Sequence, residues 1–382
     1  MKRDNWPIGA LALVGLALAV ACTAAAPAAG PGAKSSSAPP ASTAPAASGP
    51  PAAGAAPAAT APQAPVRLVL GHIPATHSGG MYIAQERGYF AEQGIEAELV
   101  PFPSLTDAVV PLTSGQMDAY AGGSGANLYN AIARGLGLRA VADKAHSEPG
   151  VKYKGFVARK DLWDSGEIRQ VADLRGRPVA SLPSGGGVEY QIEKVLQTAN
   201  MTMDDIQYKG MSIPDQLVAL TNRAVDAAWL FQPALCTAER RNLGMTMLPL
   251  LDDVAPGLQG GVVTYSESFI RDKPQAARSL MVAYVKAIRA YNGAQLYNVD
   301  RPQIVEILQK YVNLPDVGYY DDCEWGRISP DGRVDRRWVE DEMVWSVKTG
   351  LMDRVLPVEQ VVDDTYVDYA LQLLGPYRPP AP

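Results

Sequence analysis

Residues 66–100 run VRLVLGHIPATHSGGMYIAQERGYFAEQGIEAELV, in the order strand, glycine-rich loop, helix, strand. Arg67 to Leu70 alternates and is rich in β-formers, as a strand end should be. Gly71 to Gly80 is a loop of small and polar residues that includes His72, Thr76, His77, Ser78 and Gly79. Met81 to Gln93 presents Met81, Tyr82, Ala84, Tyr89 and Phe90 as a helical face interrupted at Gly88, and Ile95 to Val100 alternates again after Gly94. A strand that delivers a polar loop to a helix N-terminus leaves free N–H groups pointing outward, which suits a small-molecule site. The same pattern also describes an ordinary βαβ connection.

The unit recurs downstream. Ser104 to Leu112 has a helical pattern, and Ala119 to Ala121 is a short strand running into Gly122–Gly125 and the helix Ala126 to Arg134. Leu138 to Ala142 is a further strand, and Tyr153 to Arg159 is an extended run that could carry the chain out of a first lobe. From Asp161 the pattern restarts. The strand Val179 to Leu182 meets Pro183–Gly187 and the helix Val188 to Ala199, and a helix at Asp215 to Thr221 precedes the buried strand Asp226 to Phe231. Gln232-Pro233 ends that strand, Ala234 to Asn242 is helical, and Val262 to Tyr265 could return the chain to the first lobe. Four helices follow, Pro274 to Tyr291, Arg301 to Tyr311, Val334 to Thr349 and Val358 to Leu374. Alternation of this kind predicts an α/β fold with parallel sheets covered on both faces. Ligands sit at the carboxyl ends of such strands, where all three glycine junctions fall. Two lobes with facing strand ends would hold the solute in the cleft between them.

The chain has 382 residues and a formal net charge of −6, which leaves no nucleic-acid footprint. It has three cysteines and three histidines, with no CxxC or His/Cys cluster, so neither a metal nor a cofactor is expected. Cys236 and Cys323 either form one bridge or stay as two thiols. At the N-terminus, Lys2 and Arg3 precede the apolar run Ile8 to Ala21, too short for a comfortable span and right for a signal peptide. Leu18-Ala19-Val20-Ala21-Cys22 resembles a bacterial lipobox, in which Cys22 would carry the lipid; a plain cleaved signal peptide is the alternative. Residues 23–65 are almost entirely Ala, Pro, Gly, Ser and Thr, the composition of a disordered tether. The folded part would then sit outside the cytoplasm, anchored to the outer face of the cytoplasmic membrane or in the periplasm.

Several pieces resemble one family in order and spacing. They are Met81 to Phe90 (MYIAQERGYF), Leu112 to Asp118 (LTSGQMD), Ala131 to Gly135 (AIARG), Val171 to Val179 (VADLRGRPV), and Ala224 to Ala228 followed by Gln232-Pro233. The stretch from Val66 to about Gly375 resembles the solute-binding proteins of ABC importers, in the group of sulfonate, taurine and nitrate binders and thiamine-precursor (NMT1/THI5-like) binders. The resemblance implies a two-lobed type II periplasmic-binding-protein fold with a two-strand hinge. Residues 1–22 would be the lipoprotein signal, 23–65 the tether, 66–158 and 261–382 the first lobe, and 159–260 the second. It implies capture of a small organic or anionic solute, lobe closure, and delivery to a permease and its ATPase by a monomeric, non-enzymatic receptor. A pyrimidine-precursor synthesis enzyme of the same fold and a solute sensor for a membrane partner are the alternatives.

Candidate ligand residues follow from the three loops. They are His77, Ser78 and Gly79 in the first, Gly123 and Ser124 in the second, and Ser184, Gly185 and Gly186 in the third. Tyr120, Trp229 and Gln232 end strands and could stack on or hydrogen-bond a solute. Each has a plainer role open to it: helix capping for the serines, core packing for Trp229 and Tyr120, a surface loop for His77. Asp321, Asp322 and Glu324 beside Trp325 could recognise a cation or be solvated. Arg240-Arg241 and Arg336-Arg337 fit solvated helix faces.

Overall fold

A computed structural model describes residues 64–185, 187–312, 314 and 318–380. The signal peptide with Cys22, all but the last two residues of the tether, and Gly186 lie outside the described residues.

Two five-stranded sheets of the same plan form the two lobes. The first contains β1 (Val66–His72), β2 (Ile95–Pro101), β3 (Ala119–Gly122), β4 (Arg139–His146) and β10 (Gln259–Tyr265), in the order β2-β1-β3-β10-β4. The second contains β5 (Lys154–Arg159), β6 (Pro178–Ser181), β7 (Gln207–Gly210), β8 (Ala227–Phe231) and β9 (Gly244–Thr246), in the order β7-β6-β8-β5-β9. The expectation of parallel sheets needs one correction in each. β1 pairs in parallel with β2 and β3, and β6 with β7 and β8, but β10 runs antiparallel to β3 and β4, and β5 to β8 and β9. β5 and β10 are the strands entered from the other sheet. A chain crossing between lobes arrives at the edge where the parallel strands end, and so must run back against them.

The helices on these sheets are α1 (Gly79–Glu86), α2 (Leu105–Thr113), α3 (Ala126–Ala133), α4 (Val188–Leu196), α5 (Ile213–Thr221), α6 (Ala234–Arg240), α7 (Pro274–Tyr297), α8 (Arg301–Tyr311), α9 (Arg336–Lys348) and α10 (Thr365–Leu374). Gly88 takes a φ of 73°, so α1 stops and Tyr89–Glu92 makes a separate turn. The single helix expected over 358–374 breaks, because Asp363 Oδ1 accepts from Thr365 N at 3.0 Å and Thr365 Oγ1 at 2.6 Å and starts a new helix there. Short elements at Lys160–Ser165, Gly244–Thr246 and Glu267–Asp272 had no sequence signal strong enough to predict them.

The first-lobe core is built where α1 meets α7. Leu68, Leu70, Tyr82, Ile83, Leu280, Tyr284, Ile288 and Tyr291 are buried there together. A Cβ on Gly80 would stand 2.6 Å from Tyr284 Cε2 and 2.7 Å from Ile288 Cγ2. Gly80→Ala is therefore expected to cost about 1–3 kcal/mol by overpacking, measured by urea unfolding; an unchanged midpoint would count against this seam.

A shared helix and a disulfide are among the features that join the lobes. α9 is shared: its Val339 and Met343 belong to the first-lobe core, while Trp338 and Trp345 pack on the second. From α4 in the second lobe, Lys194 Nζ and Tyr190 OH both donate to Asp341 of α9, at 2.6 and 2.5 Å. The open question of the cysteines is answered by a disulfide from Cys236 on α6 to Cys323, with a Cα–Cα distance of 5.9 Å. Beside it Arg240 donates to Asp322 at 2.8 Å and lies 4.4 Å from the Tyr319 ring centroid, so Asp322 and Arg240 are partners in an inter-lobe contact.

Candidate functional site

The lobes meet around a cavity of about 70 Å³, room for ~5 waters or a small solute. The first lobe contributes Ile73 and His77 from the loop after β1, Ser104–Thr106 at the start of α2, and Gly122 and Gly123 at the end of β3. The second contributes Leu182 and Pro183 after β6, Val188 and Gln191 of α4, and Phe231 at the end of β8. Ala145 near the end of β4, Tyr153 just before β5, Lys154 at the start of β5 and Gly260 of β10 complete the wall where the chain crosses. The topology explains the last group. β5 and β10 run backward, so their first residues lie at the ligand edge: Lys154 pairs with Phe231, and Gly261 with Ala145. The two lobes touch directly across the site, where Asn127 N donates to Gly185 O at 3.1 Å.

The structure brings His77 and Gly123 to the cavity wall. Gly122, which also lines it, leaves no room for a Cβ because the Tyr120 ring lies beneath it; Tyr120 is buried in the first-lobe core against Phe102. Ser78 Oγ donates to Ile73 O at 2.6 Å, a bond that shapes the first loop from within. Gly79 lies in the α1–α7 seam, within 2.6 Å of Tyr291 for an added Cβ. Ser124 Oγ donates to Glu342 Oε2 at 3.3 Å. In the third loop Ser184 Oγ and Gly185 N both donate to Glu189 Oε1, the latter at 2.8 Å, so these two donors are taken up by the helix that follows. Trp229 packs edge-on to Phe156 at 4.9 Å in the second-lobe core. Gln232 links the crossing segment to α6, donating to Lys152 O at 2.9 Å and accepting from Cys236 N at 3.2 Å.

Sequence reading missed Tyr153, Lys154, Gln191 and Phe231 on the wall, and Lys144 behind it. A signal existed: Lys144 and Lys154 stand within strands flanking the first crossing, and lysine is almost never buried unless paired. Both are buried, at 1% and 3% exposure. Burial brings the Lys144 ammonium down to about 7, aided by Lys154 and opposed by Asp143. Lys154 is lowered by burial too, against the pull of Asp252, Asp143 and Glu342. His77 shares a short hydrogen bond with the Tyr153 hydroxyl through Nδ1. Burial, then the charges of Lys144 and Lys154, holds its imidazole well below the usual histidine range, so it is neutral. Glu342, fully enclosed, is pushed up to about 8 by burial although Tyr129 OH donates to it at 2.5 Å. Among the described residues no group of three or more His, Cys, Asp or Glu could hold a metal ion, and no helix is long and apolar enough to cross a membrane.

Comparison with known proteins places this geometry. The profile of the family described as NMT1/THI5 like matches residues 75–292. A Brucella abortus protein described as a binding protein is 22% identical over 251 residues, 64% of this chain and 71% of that one. The fold is shared with the periplasmic nitrate-binding protein NrtA of Synechocystis PCC 6803 (TM-score 0.66, 15% identity, 81% of this chain and 89% of that one). It is shared equally with the periplasmic aliphatic sulphonate-binding protein SsuA of Escherichia coli (0.62, 19%, 80% and 99%). A ligand-binding component of an ABC-type import system from Staphylococcus aureus, solved with zinc bound, is similar as well (0.63, 16%, 80% and 98%). With its profile matched over more than half of its length, the chain belongs to the NMT1/THI5-like family.

Proposed function

We propose that this chain is the extracytoplasmic solute receptor of an ABC importer, taking a small organic or anionic solute between its lobes and handing it to a permease and its ATPase. The observation that carries the reading is the cavity walled by loops of both lobes and by both crossing strands. A solute there contacts both lobes at once, so it favours the closed arrangement over an open one. The Cys236–Cys323 bridge supports a location outside the reducing cytosol, and a lipid on Cys22 would hold the folded part at the membrane through the 23–65 tether. No turnover is part of the proposal: both cysteines among the described residues are spent in the disulfide, and His77 is engaged by Tyr153.

The test is a thermal-shift screen of the purified protein with sulfonates, nitrate, pyrimidines and aromatic acids, followed by calorimetry and chromatography of the best binder. The expected outcome is one site per chain and an unchanged solute. Chemical conversion of the bound solute would favour the enzyme alternative, and binding of none of these classes would sink the receptor reading. Mass spectrometry of the mature N-terminus tests the anchor, which an unmodified end beyond Cys22 would exclude.

A further inference from the structure

Glu189 draws Ser184 Oγ and Gly185 N of the third glycine loop onto α4. The Gly185 carbonyl and the bare Cα of Gly187 are left for the first lobe, and both are taken up there. Gly185 O accepts from Asn127 N at 3.1 Å. An added Cβ on Gly185 would stand 2.8 Å from Asn127 Oδ1, and one on Gly187 would stand 2.6 Å from Ser124 O and closer still to Glu342 Oε1. Those partners belong to the second glycine loop, to the α3 it opens, and to α9. The lobes thus meet where only a residue without a side chain fits. Each contact also adjoins the cavity wall. Ser184 follows Pro183, Gly187 precedes Val188, Ser124 follows Gly123, and Asn127 Nδ2 donates to Thr106 Oγ1 at 2.8 Å. Pro183, Val188, Gly123 and Thr106 all line the cavity.

We propose that the second and third glycine loops form a closure latch, in which Gly185 and Gly187 are positioning residues that retain the solute without touching it. The Cys236–Cys323 bridge is covalent, so in the intact protein the lobes can part only at contacts that are not, and the latch is such a contact. It consists of one neutral backbone hydrogen bond and the close packing around two glycines, weak enough to break and re-form at each loading. While it is shut, Thr106 and Gly123 on one side and Pro183 and Val188 on the other stay at the spacing that encloses the cavity. A Cβ on Gly187 acts as a wedge, because the Ser124 carbonyl it meets is main chain and cannot swing aside as a side chain would. The proposal rests on the receptor reading above and adds the residues that set how long a solute stays.

The test compares the full-length protein with its Gly187→Ala and Gly166→Ala variants. Gly166 lies in the second lobe with a φ of 84°, close to the 80° of Gly187, and an added Cβ there meets nothing within 4 Å. Alanine at 166 therefore carries the same backbone strain without the wedge. The probe is whichever sulfonate, nitrate, pyrimidine or aromatic acid gives the wild type its largest thermal shift. Gly187→Ala is expected to bind that probe about tenfold or more weakly than Gly166→Ala, through faster dissociation, while the two variants melt within about 3 °C of one another. Hydrogen exchange on the unliganded proteins needs no probe: the segment 124–130 should exchange faster in Gly187→Ala than in Gly166→Ala. Equal affinity in the two variants, or equal exchange, would overturn the latch while leaving the receptor reading intact. A Gly187→Ala that melts far below Gly166→Ala would overturn it as well, since the contact would then belong to a static core. If no probe binds the wild type, the receptor reading fails, and the exchange comparison alone decides whether the lobes are held at these glycines.

Discussion

Opening the Cys236–Cys323 bridge, by reduction or by serine at both positions, is expected to lower the stability of the protein by about 4 kcal/mol and to let the lobes part. The two cysteines are 87 residues apart in sequence, and closing a loop of that length removes denatured-chain entropy worth roughly 4–5 kcal/mol in the chain-entropy account. The position matters more than the size. Cys236 belongs to α6 of the second lobe, and Cys323 follows the short helix Tyr319–Asp322, whose Tyr320 is buried in the first-lobe core. The Arg240–Asp322 ion pair beside the bridge is half exposed and supplies at most about 1 kcal/mol, so it cannot substitute. α9 still holds the other edge, through Asp341 and the Trp338 and Trp345 contacts. Parting should therefore be lopsided, opening at α6 and pivoting on α9. Urea unfolding with and without a reductant reads the stability. Hydrogen exchange reads the place: faster exchange in α6 and in 319–328, with α9 unchanged. Equal stability within about 1 kcal/mol, or uniform exchange, would show that the bridge does not restrain the lobes.

Much of this arrangement was legible beforehand, because the three glycine junctions each mark a strand handing over to a helix, two in the first sheet and one in the second. Which atoms in those junctions are free was not legible. Ser184 and Gly185 have the composition of a donor loop, yet Glu189 in the first turn of α4 collects both donors. Gly79 reads as a loop glycine, but its missing Cβ makes room for Tyr291. The glycine's role depends on what packs opposite, of which local sequence carries no record, whereas Glu189 stands in the local sequence four residues after Gly185 and was a readable signal. The lysines were overlooked for a topological reason. Lys154 reaches the cavity only because β5 runs backward after the crossing, and strand direction within a sheet is set by the crossing rather than by the residues of the strand. For this fold the first residue of a backward-running strand lies at the cavity, as Lys154 does.

Replacing Glu342 by glutamine is expected to make the protein more stable than the wild type by about 3–5 kcal/mol at pH 9, with almost no difference near pH 4.5. Glu342 lies on α9 at the junction of the lobes, where its Oε2 accepts from Tyr129 OH at 2.5 Å and Ser124 Oγ at 3.3 Å, both from the first lobe. Burial pushes its carboxyl from 4.5 up to about 8, with Glu189 adding to the rise and Tyr129, Ser124 and Lys154 opposing it. Between those two values the folded protein holds a proton that the unfolded chain has already released. Stability due to this group is thus complete below about pH 4.5 and is lost as the pH rises towards 8. Glutamine keeps the shape and an acceptor for Tyr129 but cannot ionise. The difference between the two proteins isolates the carboxyl from the other buried groups, Lys144, His72 and His77, whose shifts both proteins share. Urea unfolding at pH 5, 7 and 9 at fixed ionic strength measures it. A gap that widens with pH, the variant being the more stable, is the expected result. Parallel stability profiles would mean that Glu342 ionises freely in the folded state, and that the seam between α9 and the second glycine loop admits water.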